Sequence, residues 1–327
     1  MRVLLWIAGV LAVLWGGYWF VGSTAVERGT AQWFEDQAAL GLTAEREDIS
    51  VSGFPSRFDL TVTKPHFADP ATGWGWRAPF AQVLSMTWKP WHVIAALPND
   101  QLIEGPGEAI ALTSSRMMAS LRLSPTTDLP LQEVVIEGHD VLAKSDLGWT
   151  VGTKSLVLAL GPDAADPLAQ RLGLRITDLT PNPAFAALVP DLGDRISTVQ
   201  LDATLTLSAA LDRHMAETQP RLTAVTLTNL RAEWGALKLT AKGQVDRGPD
   251  GFAVGQIDFR VENWRNIPAL IVALGLVRPE MGATITRGVE TLARAGGNPD
   301  VLDLPLIFAD GRMVLGPLPL GAAPRMD

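Results

Sequence analysis

Residues able to do chemistry are sparse in this sequence, and their spacing argues against most enzyme classes. The four histidines, His66, His92, His139 and His214, form no H-x-x-x-H pair and sit beside no carboxylate-rich motif. They read as solvated loop residues. The nucleophile pattern G-x-S-x-G is missing, since Ser52-Gly53 lacks the upstream glycine and lies in an alternating run. Gly73-Trp74-Gly75-Trp76 and Gly105-Pro106-Gly107 are not followed by the Lys-Ser/Thr of a phosphate-cradling loop, and read as turns. Two carboxylate pairs remain. Asp246 and Asp250 flank Gly248-Pro249, where Asp is favoured for local hydrogen bonding, and Asp300 and Asp303 are split between a loop and a strand face. The cysteine count is zero, which removes disulfides, thiolate metal sites and cysteine nucleophiles together. No catalytic, cofactor-binding or metal-ligating set emerges, and the expectation is a protein that is not an enzyme and needs no cofactor.

Binding is the better prospect. Eleven Trp stand against a single Tyr. Trp74, Trp76, Trp88 and Trp91 crowd one window with Pro79 and Pro90, a composition suited to an apolar groove or a bilayer interface; ordinary strand packing is the commoner reason for buried Trp. The segment Ile267 to Leu276 is apolar nearly all round, and Ile267, Leu270 and Leu274 join the candidate groove or interface, with core packing again the commoner alternative. The net charge of -8 and pI near 5.1 disfavour nucleic acid, which demands a basic stripe.

The elements that position these residues begin with Val3 to Val21, a run with no charged residue. At about 1.5 Å per residue a helix of this length matches the roughly 30 Å of bilayer hydrocarbon. Arg2 flanks one end and Glu27, Arg28, Glu35 and Asp36 follow the other, so the positive-inside rule places the N-terminus in the cytoplasm and the rest outside. Tyr18, Trp19 and Phe20 suit an aromatic belt at the outer interface. A cleavable signal peptide, with Ser23-Thr24-Ala25 as the cleavage region, is the competing reading; the length of the apolar run favours a retained anchor. This gives an anchor over 1–24, a juxtamembrane amphipathic helix over 25–41 ending at Gly41, and a β-rich domain over 42–327. A break near Gly161 to Pro190 would divide that domain into halves 42–165 and 190–327.

Period two dominates the remainder. Ile49–Phe54, Phe58–Thr63, Gln82–Trp88, Met118–Leu123, Leu131–Ile136 and Ser155–Leu160 alternate. Clearer still are Val199–Leu207, Val225–Thr228, Leu237–Val245 and Ala253–Val261, bounded by turn-forming residues such as Asp246–Gly251. Strict alternation predicts strands with one apolar face, paired antiparallel through short turns. Helices are expected from Asn182-Pro183 to Leu188, from Ile267 to Leu276 behind Asn266, and from Glu280 to Ala295. Val301–Phe308, an Asp310-Gly311 turn and Met313–Leu315 predict a closing hairpin. The fold class is therefore mainly β, a large, twisted, mostly antiparallel sheet with a few packed helices after a transmembrane helix.

The run Ser52-Gly53-Phe54-Pro55-Ser56-Arg57-Phe58-Asp59-Leu60 resembles the G-F-P-x-R-F-D-L signature of the bacterial family known as domain of unknown function 2125 (DUF2125). The ending Asp310 to Pro324 resembles that family's D-G-x-x-x-L-G-P-L-P-L-G-x-x-P. Leu230 to Leu237, continuing through Ala241-Lys242-Gly243 to Val261, is also similar to AsmA-like envelope proteins. That resemblance implies a long, curved β-sheet with an apolar inner surface, an inner-membrane anchor and a part in lipid transport or outer-membrane homeostasis, and it carries over no catalytic residue. The expectation is a single-pass inner-membrane protein with a periplasmic domain that binds or guides lipid or another apolar ligand along a sheet face. A scaffold that binds another envelope protein through a sheet surface or edge is the alternative.

Overall fold

The computed structural model describes residues 1–273, 282–295, 298–316 and 318–326. They form two compact units, one of Met1–Pro125 with Ile136–Gly148, the other of Thr126–Val135 with Trp149–Asp327. The fold is mainly β, with antiparallel pairing throughout the registers described below.

The first unit opens with one helix, α1 (Arg2–Ala39). The segment expected as a separate juxtamembrane helix is continuous with the apolar run, because nothing near residue 25 interrupts the backbone ladder: the Ser23 hydroxyl donates to the Phe20 carbonyl and that of Thr30 to Val26. Gly41, at φ +88°, lets the chain leave the helix where its sequence predicts an end. Ten strands follow: β1 (Thr43–Glu45), β2 (Asp48–Ser52), β3 (Arg57–Thr63), β4 (His66–Asp69), β5 (Trp74–Arg77), β6 (Phe80–Met86), β7 (Lys89–Leu97), β8 (Asp100–Gly105), β9 (Glu108–Thr113) and β10 (Arg116–Leu123). The next strand, β11 (Leu131–Ser145), contributes its residues from Ile136 onward to this unit.

These strands are halves of longer ones. β2–β3–β6–β7–β10 pair in series, and β1–β4–β5–β8–β9–β11 form the parallel series of continuations. The breaks fall in one line across the meander, at Lys64-Pro65, Ala78-Pro79, Pro98-Asn99 and Ser114-Ser115. Proline has no N–H to give the ladder, so the strands stop at the first three of these breaks. Bonds such as Lys64 N–H to Pro79 O (2.9 Å) and Ser114 N–H to Asn99 O (2.8 Å) stitch the line together. Gly75-Trp76, expected in a turn, is therefore part of β5, and three histidines expected in loops sit on strands: His66 on β4, His92 on β7 and His139 on β11.

The second unit is a continuous up-and-down meander: β12 (Thr150–Pro162), β13 (Ala169–Leu179), β14 (Ile196–Leu207), β15 (Leu222–Trp234), β16 (Leu237–Arg247), β17 (Ala253–Glu262), β18 (Val301–Ala309), β19 (Arg312–Leu315) and β20 (Leu318–Ala322), each paired with the next. The break expected over 161–190 lies inside this meander, since Pro162 pairs with Gln170 and β13 runs to Leu179. Its Gly-Pro-Asp-Ala-Ala-Asp-Pro composition marks a hairpin end, not a linker. Short helices occupy the connections: α2 (Pro183–Ala186), whose Ala184 N–H donates to the Asn182 side chain, α3 (Met215–Thr218), α4 (Ile267–Ala273) and α5 (Gly282–Ala295). A core of Val189, Leu192, Trp234, Leu237, Val261, Trp264, Leu270, Val289, Ala293 and Leu302 packs these connections onto one end of the strands. Val245, Ala253, Phe308, Ala323 and Met326 close the other end.

Leu302 is 1% exposed in the first of these cores, whereas Leu201 on β14 is only half-buried. Leu302→Ala should cost about 3 kcal/mol, within the range for a large-to-small change in a packed core. Leu201→Ala should cost less than half of that, read as the shift in denaturation midpoint of the detergent-solubilised chain; equal costs would mean that both positions are fully packed.

Candidate membrane collar and apolar sheet face

α1 is long and apolar enough to cross a membrane, and little of its apolar window is buried by the protein. Yet its fourth and fifth turns do not stand free. Trp15 Nε1–H donates to the Pro55 carbonyl (2.8 Å), Trp19 Nε1–H to the Arg57 carbonyl (2.7 Å) and the Tyr18 hydroxyl to the Thr87 carbonyl (2.9 Å). Between them the turn joining β2 and β3 lies against the helix. The Phe54 ring meets Trp19 edge-on at 5.4 Å and Phe20 at 5.7 Å, and the Phe58 ring stacks on Trp19 at 6.3 Å. Small residues on α1 make the approach possible. A Cβ on Gly22 would stand 2.5 Å from Phe58 Cζ, and one on Gly16 would touch the Phe54 ring at 3.8 Å.

Farther along, α1 docks on the first unit's sheet. The Glu27 carboxylate accepts from the Val51 N–H (3.0 Å), and Phe34, 2% exposed, packs with Leu60 and Val62 and stacks on Phe67 at 5.0 Å. The Arg46 guanidinium lies over the Phe34 ring and pairs with Glu35 at 3.1 Å. Gly53 adopts φ +102°, a conformation only glycine reaches without strain, and Arg57 pairs with Asp59 at 2.7 Å to hold the turn's base. The residues of the G-F-P-S-R-F-D run thus build one collar around the helix.

The second unit carries the other notable surface. Its registers bring apolar residues into line across seven strands, as in Leu158–Leu174–Leu201–Leu230–Ala241–Phe259–Leu304. The neighbouring row reads Leu160–Leu172–Ala203–Leu227–Gly243–Ile257–Leu306. Side chains alternate between faces, and a β-bulge between Leu227 and Leu230 restores the phase in β15, so both rows share one face. The opposite face carries Arg175, Gln200, Arg231, Thr240, Arg260 and Asp303 in register, with Arg260 paired to Asp303 at 3.0 Å. Midway along the apolar face Leu158, Leu174, Leu201, Leu230, Phe259 and Leu304 are half-buried, and Ala203, Leu227 and Ala241 form a small buried cluster between them. The described helices α4 and α5 pack with Trp264, Val261 and Leu302 at one end of this face.

The family described as uncharacterised protein conserved in bacteria (DUF2125) matches residues 19–324. The chain belongs to this family. No curated protein matches it. The DUF2125 match takes in Trp19, the Phe54-Pro55 turn and the whole second-unit meander, and begins after Trp15 and Tyr18.

The residues singled out from this DUF2125 sequence do not converge. Trp74 and Trp76 lie on β5; Trp76 stacks on Phe67 (6.2 Å) and donates to Gln101 Oε1 (2.9 Å), while Trp74 is exposed beside Gly105. Trp91 lies on β7, and Trp88, exposed, follows the Thr87 whose carbonyl receives Tyr18. From Trp74 to Trp88 the chain runs the full path of β5 and β6, on the order of 40 Å of strand, so one groove does not contain all four. Ile267 and Leu270 pack in the core at the end of the second unit's strands, and Leu274 lies outside the described residues. Sequence reading missed the collar as a site, although its signals, an aromatic helix end and the G-F-P-S-R-F run, were both visible. It also missed His66, which stands between Glu45 (3.4 Å) and Glu104 (3.1 Å), with Arg77 on Glu104. Among the described residues no group of three or more His, Cys, Asp or Glu is arranged to hold a metal ion.

Gly22→Leu should displace Phe58 and free the turn, exposing the Arg57 peptide bond to trypsin in native conditions. Gly17→Leu, whose Cβ would meet nothing within 4 Å, should leave the cleavage pattern unchanged. Equal protection in the two variants would contradict the collar geometry.

Proposed function

We propose that this protein is a single-pass envelope protein, anchored in the inner membrane through α1, whose periplasmic, non-enzymatic β domain binds or guides an acyl chain along the apolar face of β12–β18. One observation carries the reading: the apolar rows run in register through seven strands, half-buried at Leu158, Leu174, Leu201, Leu230, Phe259 and Leu304 and buried at Ala203, Leu227 and Ala241, while the described helices and C-terminal residues pack at the two ends. A contiguous apolar patch of that extent is costly in water unless something covers it. α4, the described element best suited by composition to cover it, packs in the core with Trp264, Val261 and Leu302 at one end. The AsmA-like resemblance of residues 230–261 points the same way.

Retention of the anchor draws support from the collar. Cleavage near Ala25 would remove Trp15, Tyr18 and Trp19, and with them three hydrogen bonds and the rings packed on Phe54 and Phe58. Charge supports the orientation, with Arg2 before the run and the acidic Glu27, Glu35 and Asp36 after it. Intact-mass analysis of the protein purified from membranes should find residues 3–24 present; a mature chain beginning near residue 26 would contradict the anchor.

Native mass spectrometry of the detergent-released protein tests the ligand. The account expects copurifying phospholipid, lost in the Leu174→Gln/Leu201→Gln double variant and kept in Arg175→Gln on the opposite face, with circular dichroism unchanged in all three. A stoichiometric protein partner and no lipid would replace this reading with that of an assembly scaffold.

A further inference from the structure

The position of the collar along α1 has a consequence for depth. The uncharged run Val3–Val21 is 19 residues, about 28 Å of helix, close to the roughly 30 Å of hydrocarbon it would have to cross. The Phe54-Pro55 turn is bonded to Trp15 and packed against Gly16, Trp19 and Phe20, well inside that run. Trp15 lies six residues, about 9 Å, below Val21 along the axis. Were the turn held above the bilayer, only Val3 to Leu14 would remain to span it, about 18 Å of helix, and tilting shortens the span further. A deficit of roughly 12 Å against the hydrocarbon thickness is too large for helix length to absorb.

Backbone that enters a bilayer must have its polar groups satisfied within the protein. Five carbonyls of the two turns meet that condition. Gly53 O accepts from the Ser56 and Arg57 N–H groups, and Ser56 O from the Thr87 N–H and hydroxyl. Pro55, Arg57 and Thr87 O are taken by the three aromatic donors of α1. The two turns expose large apolar side chains, Phe54 at 57%, Trp88 at 55% and Met86 at 42%, beside the exposed Phe20 and Tyr18, and the one exposed charge among them, Arg57, is paired with Asp59. In water this combination would be wasteful. In an interface it matches the preference of amphipathic rings for the headgroup level and of Phe for the upper acyl chains.

From this we infer that the Phe54-Pro55 turn and the Met86–Trp88 turn are inserted in the outer leaflet of the membrane that α1 crosses, so that the G-F-P-S-R-F-D signature is a lipid-embedded collar. The inference rests on the membrane-spanning reading of α1, and names the lipid bilayer as the partner of this surface.

The cysteine-free chain allows a direct test. Single variants Leu11→Cys, Phe54→Cys, Trp88→Cys and Ala71→Cys of the full-length protein, labelled with an environment-sensitive fluorophore, are reconstituted in phosphatidylcholine vesicles carrying nitroxide on the upper acyl chain. Ala71, in the exposed turn between β4 and β5, reports water. The expected result is quenching and a blue-shifted emission at positions 11 and 54, with none at 71. Quenching at 11 with an aqueous signal at 54 would overturn the inference and leave the span intact. An aqueous signal at 11 would overturn the span and the inference with it. Trp88→Cys decides in place of Phe54→Cys if the latter fails to reconstitute, by the same two outcomes.

Discussion

The structure depends on register. In the second unit every strand from β12 to β18 keeps its apolar positions in phase with its neighbours, so that Leu158 on the first strand and Leu304 on the seventh belong to one row. Because side chains alternate with period two, a slip of one residue in any hairpin would carry that strand's apolar set to the face occupied by Arg175, Arg231 and Arg260. Short hairpin connections and the apolar ends hold the phase: Trp234 and Leu237 lie where β15 turns into β16, buried under the helical connections, and Val245 and Ala253 where β16 turns into β17. Single-layer sheets normally solve the exposure of an apolar face by covering it with helices or a second sheet. Here the described helical connections and C-terminal residues pack at the two ends.

The first unit applies the same alternation to another end. Its strands are folded along a line of prolines and small polar residues, and the buried side of β3, Phe58, Leu60 and Val62, receives α1 along its length. One helix thus serves two environments. Residues 22–39 present Val26 and Phe34 to the sheet, while the earlier turns expose Leu4, Leu5, Val10 and Leu11. The aromatic donors Trp15, Tyr18 and Trp19 sit where the two regimes meet, each with an apolar body for its surroundings and a polar tip for a turn carbonyl.

The legible parts of the sequence were those in which a single physical signal dominated. β14 to β17 stood out because Val199-Leu201-Ala203-Leu205 and its counterparts alternate without interruption, and α2 because Asn182-Pro183 is a strong helix start. β13 carries the same signal in Leu172, Leu174 and Ile176, but its flanking Gly-Pro-Asp and Asn-Pro segments looked like a boundary. β4, β5, β8 and β9 were missed because each is a short half of a strand broken at the kink line, too brief for periodicity to register. The Trp window misled for a related reason: closeness in sequence was taken for closeness in space, whereas a strand carries its two ends apart. Of the collar, both halves were visible separately, and only the fold joins Trp15 to Pro55 across forty residues.

An open apolar face is the central claim, and its occupant can be trapped where it works. A benzophenone amino acid placed at Leu201, on the apolar row of β14, and separately at Gln200, on the opposite face, reports what lies against each side in growing cells. On irradiation the account predicts phospholipid covalently attached at position 201 and none at 200. Crosslinks to polypeptide alone at position 201, with no lipid adduct, would contradict it.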